Sequence, residues 1–257
     1  RRHTRYIGDW SSDVCSSDLI FSAHGVSKKV KQDAKKYRQL SIDATCPLVS
    51  KVHQQIKLYE KKGYKILLIG HKGHPEVDGI EGQVNQKIII IEDEKQAKEI
   101  KLKNTKKIAY VTQTTLSLND TSEIIKILKK KFPSIIGPDL NDICYATQNR
   151  QVAVTKLADM CDLVFVVGGE NSSNTKRLAE IVKNKNIAVY RISGKEDINK
   201  SWLEDVNTLG ITSGASSPEI LIKEILDFLK AIYSLVEIED LKGIKENITF
   251  KPLTKFS

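Results

Sequence analysis

Histidine and cysteine are scarce in this 257-residue chain, five and four respectively, and where they stand narrows the chemistry open to it. His24 lies in SAHGVS, after a short apolar segment and before a Lys-rich stretch. His71 and His74 lie in GHKGHPEVDG, with Pro75 next and Glu76 two residues beyond His74. A His, a Pro and a Glu in a turn between strand and helix can position a proton donor and a cation for an anionic substrate. An ordinary surface-loop residue is the plain alternative for each, and His53, inside a helical stretch, reads that way. Cys46 follows Asp43-Ala44-Thr45 and precedes Pro47 at a strand-to-helix junction. Cys144 lies in NDICYAT, before a helix expected over Gln148–Met160, and Cys161 opens the run CDLVFVV as a small buried hydrophobe. Cys46 and Cys144 are far apart and carry no CxxC spacing, so spacing alone indicates no metal.

The elements that must position these residues repeat one local design. An apolar strand-like run is followed by a short polar turn and then an amphipathic helix. It occurs at Tyr64–Gly70 into HKGHPEVDG, at Ile108–Val111 into TQTTLSLNDTSEIIKIL, at Leu163–Val167 into GGENSSNTKRLAEIV and at Thr208–Thr212 into SGASSPEILIKEIL. Further strands are expected at Ile88–Ile91 and Ala188–Ile192. Continuous apolar strands alternating with helices of about 12–16 residues predict parallel sheets in an α/β architecture. In such sheets ligands bind outside the carboxyl ends of the strands, where a helix start aims free N–H groups at an anion. Asn171-Ser172-Ser173-Asn174 and Ser213-Gly214-Ala215-Ser216-Ser217 put hydroxyls and amides there. Each also reads as a plain N-cap, but two such turns beside TQTT and the His-bearing turn suggest a converging oxyanion site. The chain has neither GxGxxG nor GxxxxGK[ST], so the signatures of dinucleotide and Walker-type sites are missing.

Composition sets the outer limits. With 40% hydrophobic and 28% charged residues the chain can bury a core, and it is neither disordered nor collagen-like. No apolar run approaches the roughly 18 residues of a membrane-spanning helix, which together with the few cysteines predicts a soluble cytoplasmic protein. The balance of 41 Lys+Arg against 32 Asp+Glu gives +9, but most of the lysines fall on helical stretches such as Lys129-Lys130-Lys131 and read as solvated faces. Neither nucleic acid nor membrane is an expected partner.

Arg1–Leu19 stands apart. It is polar, without helical or strand period, and Asp9–Asp18 (DWSSDVCSSD) resembles the in-frame translation of a sequencing adapter. Genuine sequence is therefore expected from near Ile20, which removes His3, Trp10 and Cys15 from the chemistry. The charge is unchanged, because Arg1, Arg2 and Arg5 offset Asp9, Asp13 and Asp18.

From Ile20 on, SAHGVS, DATCPLV, GHKGHPEVDG, TQTTLS, DICYATQNRQ, NSSNTKRL and SGASSPE, in this order, resemble the 4-hydroxy-3-methylbut-2-enyl diphosphate reductase family, which acts last in the non-mevalonate isoprenoid pathway. The resemblance implies an α/β fold of three pseudo-symmetric domains with parallel sheets around a cavity. That cavity holds a 4Fe-4S cluster on three cysteines, with one iron open to the substrate's allylic hydroxyl. Cys46 and Cys144 match two of the cluster ligands. His24, His74, Ser172, Asn174 and Ser216 match positions that hold the diphosphate, with Ser173 in the same turn. Glu76 matches the acid that delivers a proton, and Thr114 a hydroxyl that helps relay it. Reduced ferredoxin or flavodoxin is the implied electron donor.

The family's first cluster cysteine and a further diphosphate-binding histidine precede the matched motifs and have no counterpart here. The expected organisation is a non-native tail at 1–19, a remnant of the first α/β domain at 20–46, a second at 47–142, a third at 143–235, and a C-terminal tail at 236–257 packing back on the first domain. A chain so shortened is expected to bind the cluster poorly. A cluster-free α/β binder or transferase of a phosphorylated metabolite is the alternative from another class.

Overall fold

The computed structural model describes residues 19–37, 41–103, 106–138, 144–233, 237–241 and 243. The expected tail, up to residue 18, and the end of the chain from 244 lie outside them. The chain divides into two compact units: 1–114, 120–142 and 249–257 form the first, and 115–119 and 143–248 the second.

The first unit opens with a two-stranded parallel sheet, β1 (Leu19–Phe21) beside β2 (Ser41–Asp43), linked by α1 (Lys28–Lys36). Then come α2 (Pro47–Lys61), β3 (Lys65–Ile69), α3 (Pro75–Glu81), β4 (Ile89–Ile91), α4 (Glu94–Glu99), β5 (Ile108–Thr112) and α5 (Leu118–Lys131), whose first two residues belong to the second unit. These three strands form a parallel sheet in the order β4-β3-β5. Strand β3 is central, so Ile66, Leu67, Leu68 and Ile69 are all buried and neither face can be polar. Residues Val52, Ile56 and Tyr59 of α2, spaced i, i+4, i+7, share one helix face and pack with Ile66, Leu68, Ala109 and Val111.

The second unit repeats the plan with α6 (Tyr145–Ala158), β6 (Leu163–Val167), α7 (Ser173–Asn184), β7 (Ala188–Ile192), β8 (Leu209–Ser213) and α8 (Glu219–Ile232). Its sheet has the order β7-β6-β8, again with the first strand in the centre and every pair parallel. Side chains alternate along β6. Leu163, Phe165 and Val167 pack with Ile225 and Leu229 of α8, while Val164 and Val166 pack with Val154 and Ala158 of α6 and Leu178 and Val182 of α7.

The architecture is the α/β fold with parallel sheets that the strand–turn–helix pattern predicts. Strand bounds differ from expectation by no more than two residues at an end. Two helices differ more. The helix expected from Gln148 starts at Tyr145, which makes Cys144 its N-cap, and α3 has only seven residues and stops at the C-cap Gly82. Cys161 is buried in the α6–α7 core, as its sequence context suggests.

Gly210 on β8 is a close approach between helix and sheet in this core. A Cβ there would stand 2.8 Å from Leu157 and 3.0 Å from the sulfur of Cys161. Gly210→Ala should therefore cost about 1–3 kcal/mol and lower the melting temperature of the second unit in differential scanning calorimetry; an unchanged melting profile would show that the helix can retreat freely.

Candidate functional site

In both three-stranded sheets the chain leaves the central strand toward one edge and later returns to the other side, the topology in which ligands bind at the carboxyl ends of β3 and β5 and of β6 and β8. His71, His74, Glu76 and Thr114 follow β3 and β5, and Ser172–Asn174 and Ser216 follow β6 and β8, whereas His24 and Cys46 follow β1 and β2 and Cys144 precedes α6.

In the first unit His74 is the N-cap of α3, with Pro75 at the first helical position. Its Nδ1 accepts the Glu76 N–H at 3.1 Å, so the ring proton sits on Nε2 and that N–H is the donor left for an anion. One residue into the helix, Glu76 is 1% exposed. Both its carboxyl oxygens are engaged from β5's end by one residue: Thr114 N–H donates to Oε1 at 2.6 Å and Thr114 Oγ1 to Oε2 at 3.0 Å. Burial pushes the Glu76 carboxyl up to about 7, against the opposing pull of the two Thr114 hydrogen bonds. A carboxyl in this state holds a proton near neutral pH and can pass it to a hydroxyl that both accepts and donates.

Two further contacts hold this arrangement in place. Gln113, fully buried, accepts the His71 N–H on Oε1 at 3.0 Å and donates its own N–H to the Ile69 carbonyl at 2.9 Å, tying the β3–α3 turn to β5. Sequence reasoning passed over it, although it stands inside the quoted TQTT. The His24 ring meets His74 edge-on, with centroids 5.4 Å apart. Burial lowers His24, and burial followed by His24 and His71 pulls His74 down to about 4, so both rings are neutral at pH 7 and act as hydrogen-bond donors rather than cations. Gly25, with φ +74°, lets the chain turn after His24 against the ring of His53.

Cys46 is the N-cap of α2, half-buried, with no capping hydrogen bond from its side chain; its N–H donates to the Ala23 carbonyl, next to His24. The first unit thus brings His24, His74, Glu76, Thr114 and Cys46 onto adjoining segments.

In the second unit Ser172 caps α7 by accepting the Thr175 N–H at 3.3 Å, and Ser173 is the first residue of that helix. Asn174 is 6% exposed, yet neither its amide nitrogen nor its oxygen has a partner among the described residues. Buried amides are ordinarily paired, so this one is set for a ligand's acceptors and donors. Beside it Thr175 Oγ1 is also unpartnered. It occupies space that only glycine leaves open, since a Cβ on Gly168 or Gly214 would come within 2.3 or 2.5 Å of it. Thr175 was missed in the sequence because a Thr in a helix's first turn carries no signal of its own. Ser216 is exposed, while Ser217 Oγ donates to the Val167 carbonyl and fixes the turn. Cys144 caps α6 as Cys46 caps α2, half-buried and without a side-chain hydrogen bond.

The thiol set can be compared with the implied cluster. Cys46 and Cys144 are free, half-buried thiols at the N-caps of α2 and α6, which is compatible with a ligand role. Cys161 does not fit, because it is buried in the core and its thiol is pushed up by burial and by Asp162. Among the described residues no three metal-ligating side chains gather in one place.

A family model described as LytB protein matches residues 3–230. The chain belongs to this family. It is 48% identical over 233 residues to the 4-hydroxy-3-methylbut-2-enyl diphosphate reductase of Anaplasma marginale (strain St. Maries), covering 91% of this chain and 68% of that one. It is 50% identical to the same-named protein of Wolbachia pipientis wMel over 91% of this chain and 75% of the relative. Among solved structures, the E-1-hydroxy-2-methyl-but-2-enyl-4-diphosphate reductase from Plasmodium falciparum superposes with a TM-score of 0.77 at 39% identity, over 85% of this chain and 68% of that one. A second reductase structure, described as the terminal enzyme of the non-mevalonate pathway, gives 0.57 at 30% identity, over 87% and 79%. No helix described in this LytB-family chain is long and apolar enough to cross a membrane.

Thr114→Val removes one of the two hydrogen bonds that favour the ionised Glu76, so the carboxyl should titrate higher than in the unaltered protein, where infrared titration should find it near 7. The folded state holds this proton where the unfolded chain releases it. The resulting stabilisation is full below about 4.5 and is lost as pH rises through about 7. Glu76→Gln should flatten stability across that window in pH-dependent melts.

Proposed function

We propose that this chain is an oxidoreductase of isoprenoid biosynthesis that converts 4-hydroxy-3-methylbut-2-enyl diphosphate into isopentenyl and dimethylallyl diphosphate. The observation that carries the reading is the buried, proton-holding Glu76 bridged to Thr114 beside the His24–His74 pair. The family membership and the names of the relatives supply the substrate and the reaction.

In the overall conversion the allylic C–O bond breaks and a C–H bond forms, with two electrons and two protons consumed and the hydroxyl leaving as water. Hydroxide is a poor leaving group, so a proton must reach that oxygen as the bond breaks. Glu76 is the acid, and Thr114 Oγ1 relays its proton. The diphosphate is assigned to neutral donors: the imidazoles of His24 and His74, the hydroxyls of Ser172, Ser173 and Ser216, and the Asn174 amide. Neutral donors suit a substrate whose charge must be held while its other end reacts, and Asn174's unpartnered buried amide supports the assignment. A 4Fe-4S cluster with Cys46 and Cys144 among its ligands would supply the electrons and a Lewis-acidic iron. Reduced ferredoxin or flavodoxin would feed it, in the cytoplasm.

Anaerobic reconstitution with iron and sulfide, followed by iron assay and turnover of the diphosphate with a chemically reduced donor, tests the reading. Glu76→Gln should keep its iron and lose turnover by about 100-fold or more, whereas Cys144→Ser should lose iron itself. Asn174→Ala should raise KM by about tenfold or more with iron unchanged. Colourless, iron-free protein that is still active on the diphosphate would point instead to a cluster-free protein.

A further inference from the structure

The first unit also concentrates positive charge at a place that shares no lining residue with the groups just described. Helix α1 carries Lys28 at its first position and Lys31 one turn later. Helix α2 carries Ser50, His53, Gln54 and Lys57 at i, i+3, i+4 and i+7, which is a single stripe. Both sets line one concave groove of about 340 Å³. Lys31 pairs with Asp43 at 2.5 Å, but among the described residues no carboxylate pairs with Lys28 or Lys57. Lys57, exposed as a residue, is held below the usual lysine range, first by partial desolvation and then by Lys28 and Lys31. His53, 5% exposed, lines the same groove, and its Nε2 has no hydrogen-bond partner among the described residues.

Three lysines on one concave face, only Lys31 of them paired with a carboxylate among the described residues, present a positive surface that an anion would complete. We propose that this groove is a second anion site, which takes a small phosphate-bearing anion on Lys28, Lys31 and Lys57. The type of donor selects the class of ligand. The lining has no arginine, and so lacks the planar fork that pairs bidentately with either a carboxylate or a phosphate; its cations are compact charges suited to a small multivalent anion. Lysine is a point charge on a flexible stem, suited to the tetrahedral oxygens of phosphate. The Ser50 hydroxyl and Gln54 amide add neutral donors on the same stripe.

Calorimetric titration of the full chain with inorganic pyrophosphate should resolve two binding events, one for each site. Lys28→Gln with Lys57→Gln should weaken one event by about tenfold or more and leave the other in place. His74→Ala should do the converse. A control with Lys129→Gln and Lys130→Gln removes the same charge from α5 and should change neither. A single event, lost in His74→Ala and kept in the groove variant, would overturn the second site while leaving the proposed reductase reading intact. Equal weakening by the groove pair and the α5 pair would reduce the effect to net charge and overturn it too. A single event, lost in the groove pair and kept in His74→Ala, would uphold the groove site and count against the diphosphate assignment alone.

Discussion

A carboxyl group with almost no exposure cannot stay in a protein interior without partners, and Glu76 obtains both of them from one residue, Thr114, across the ends of β3 and β5. Much of the first unit's local geometry follows from meeting that need. Residue 76 must enter the interior immediately after the β3 turn, so α3 begins with the His74 cap and Pro75. Thr114 must sit directly beyond β5, so β5 must pair with β3 in a register that sets Thr112 beside Ile69. Gln113 then has to lie between, and its side chain closes the turn. Gly70 is the point where this crowding leaves no room, since a Cβ there would stand 2.9 Å from Val77 and 3.1 Å from Gln113 Oε1.

The second unit answers a related constraint with a different chemistry. Its central strand also ends in a glycine, Gly168, and its opposite strand in Gly214, and the hydroxyl of Thr175 fills the space both leave. Where the first unit buries an acid, the second buries an amide, Asn174, whose two polar atoms find no partner within the described residues. The two sheets share a strand order, so the polar turns come to equivalent ends of equivalent strands. One set holds a proton, and the other offers neutral hydrogen bonds.

The strands were legible because a strand buried on both faces must be apolar throughout. Leu163–Val167, buried at every position, could be bounded from the sequence alone for this reason. The edge strand Ala188–Ile192, with Ala188 and Arg191 exposed, is bounded instead by its β-branched and aromatic residues. The change from apolar run to polar turn marked where the site residues begin. Helix starts were harder to read. Cys144 is a weak N-cap by residue type, so nothing in NDICYAT announced that the helix begins right behind it; packing of Thr147 and Gln151 into the interior settles the start. The brevity of α3 was hidden for a similar reason, since the pattern PEVDGIEG runs on without a clear stop until the chain turns at Gly82.

By itself the sequence determined the parallel α/β plan, the positions of the polar turns and, through seven ordered motifs, the family whose chemistry those turns resemble. These are local properties: period, residue type and order along the chain. Tertiary structure decided the rest. Only strand pairing brings Thr114 onto Glu76 across 38 residues, and only burial lifts that carboxyl toward neutrality and lowers both histidines. The groove between α1 and α2 likewise appears only when two separate lysine-bearing stripes face each other. Electrostatic and desolvation energies depend on distances in space and on the exclusion of water, and neither is written in the order of the residues.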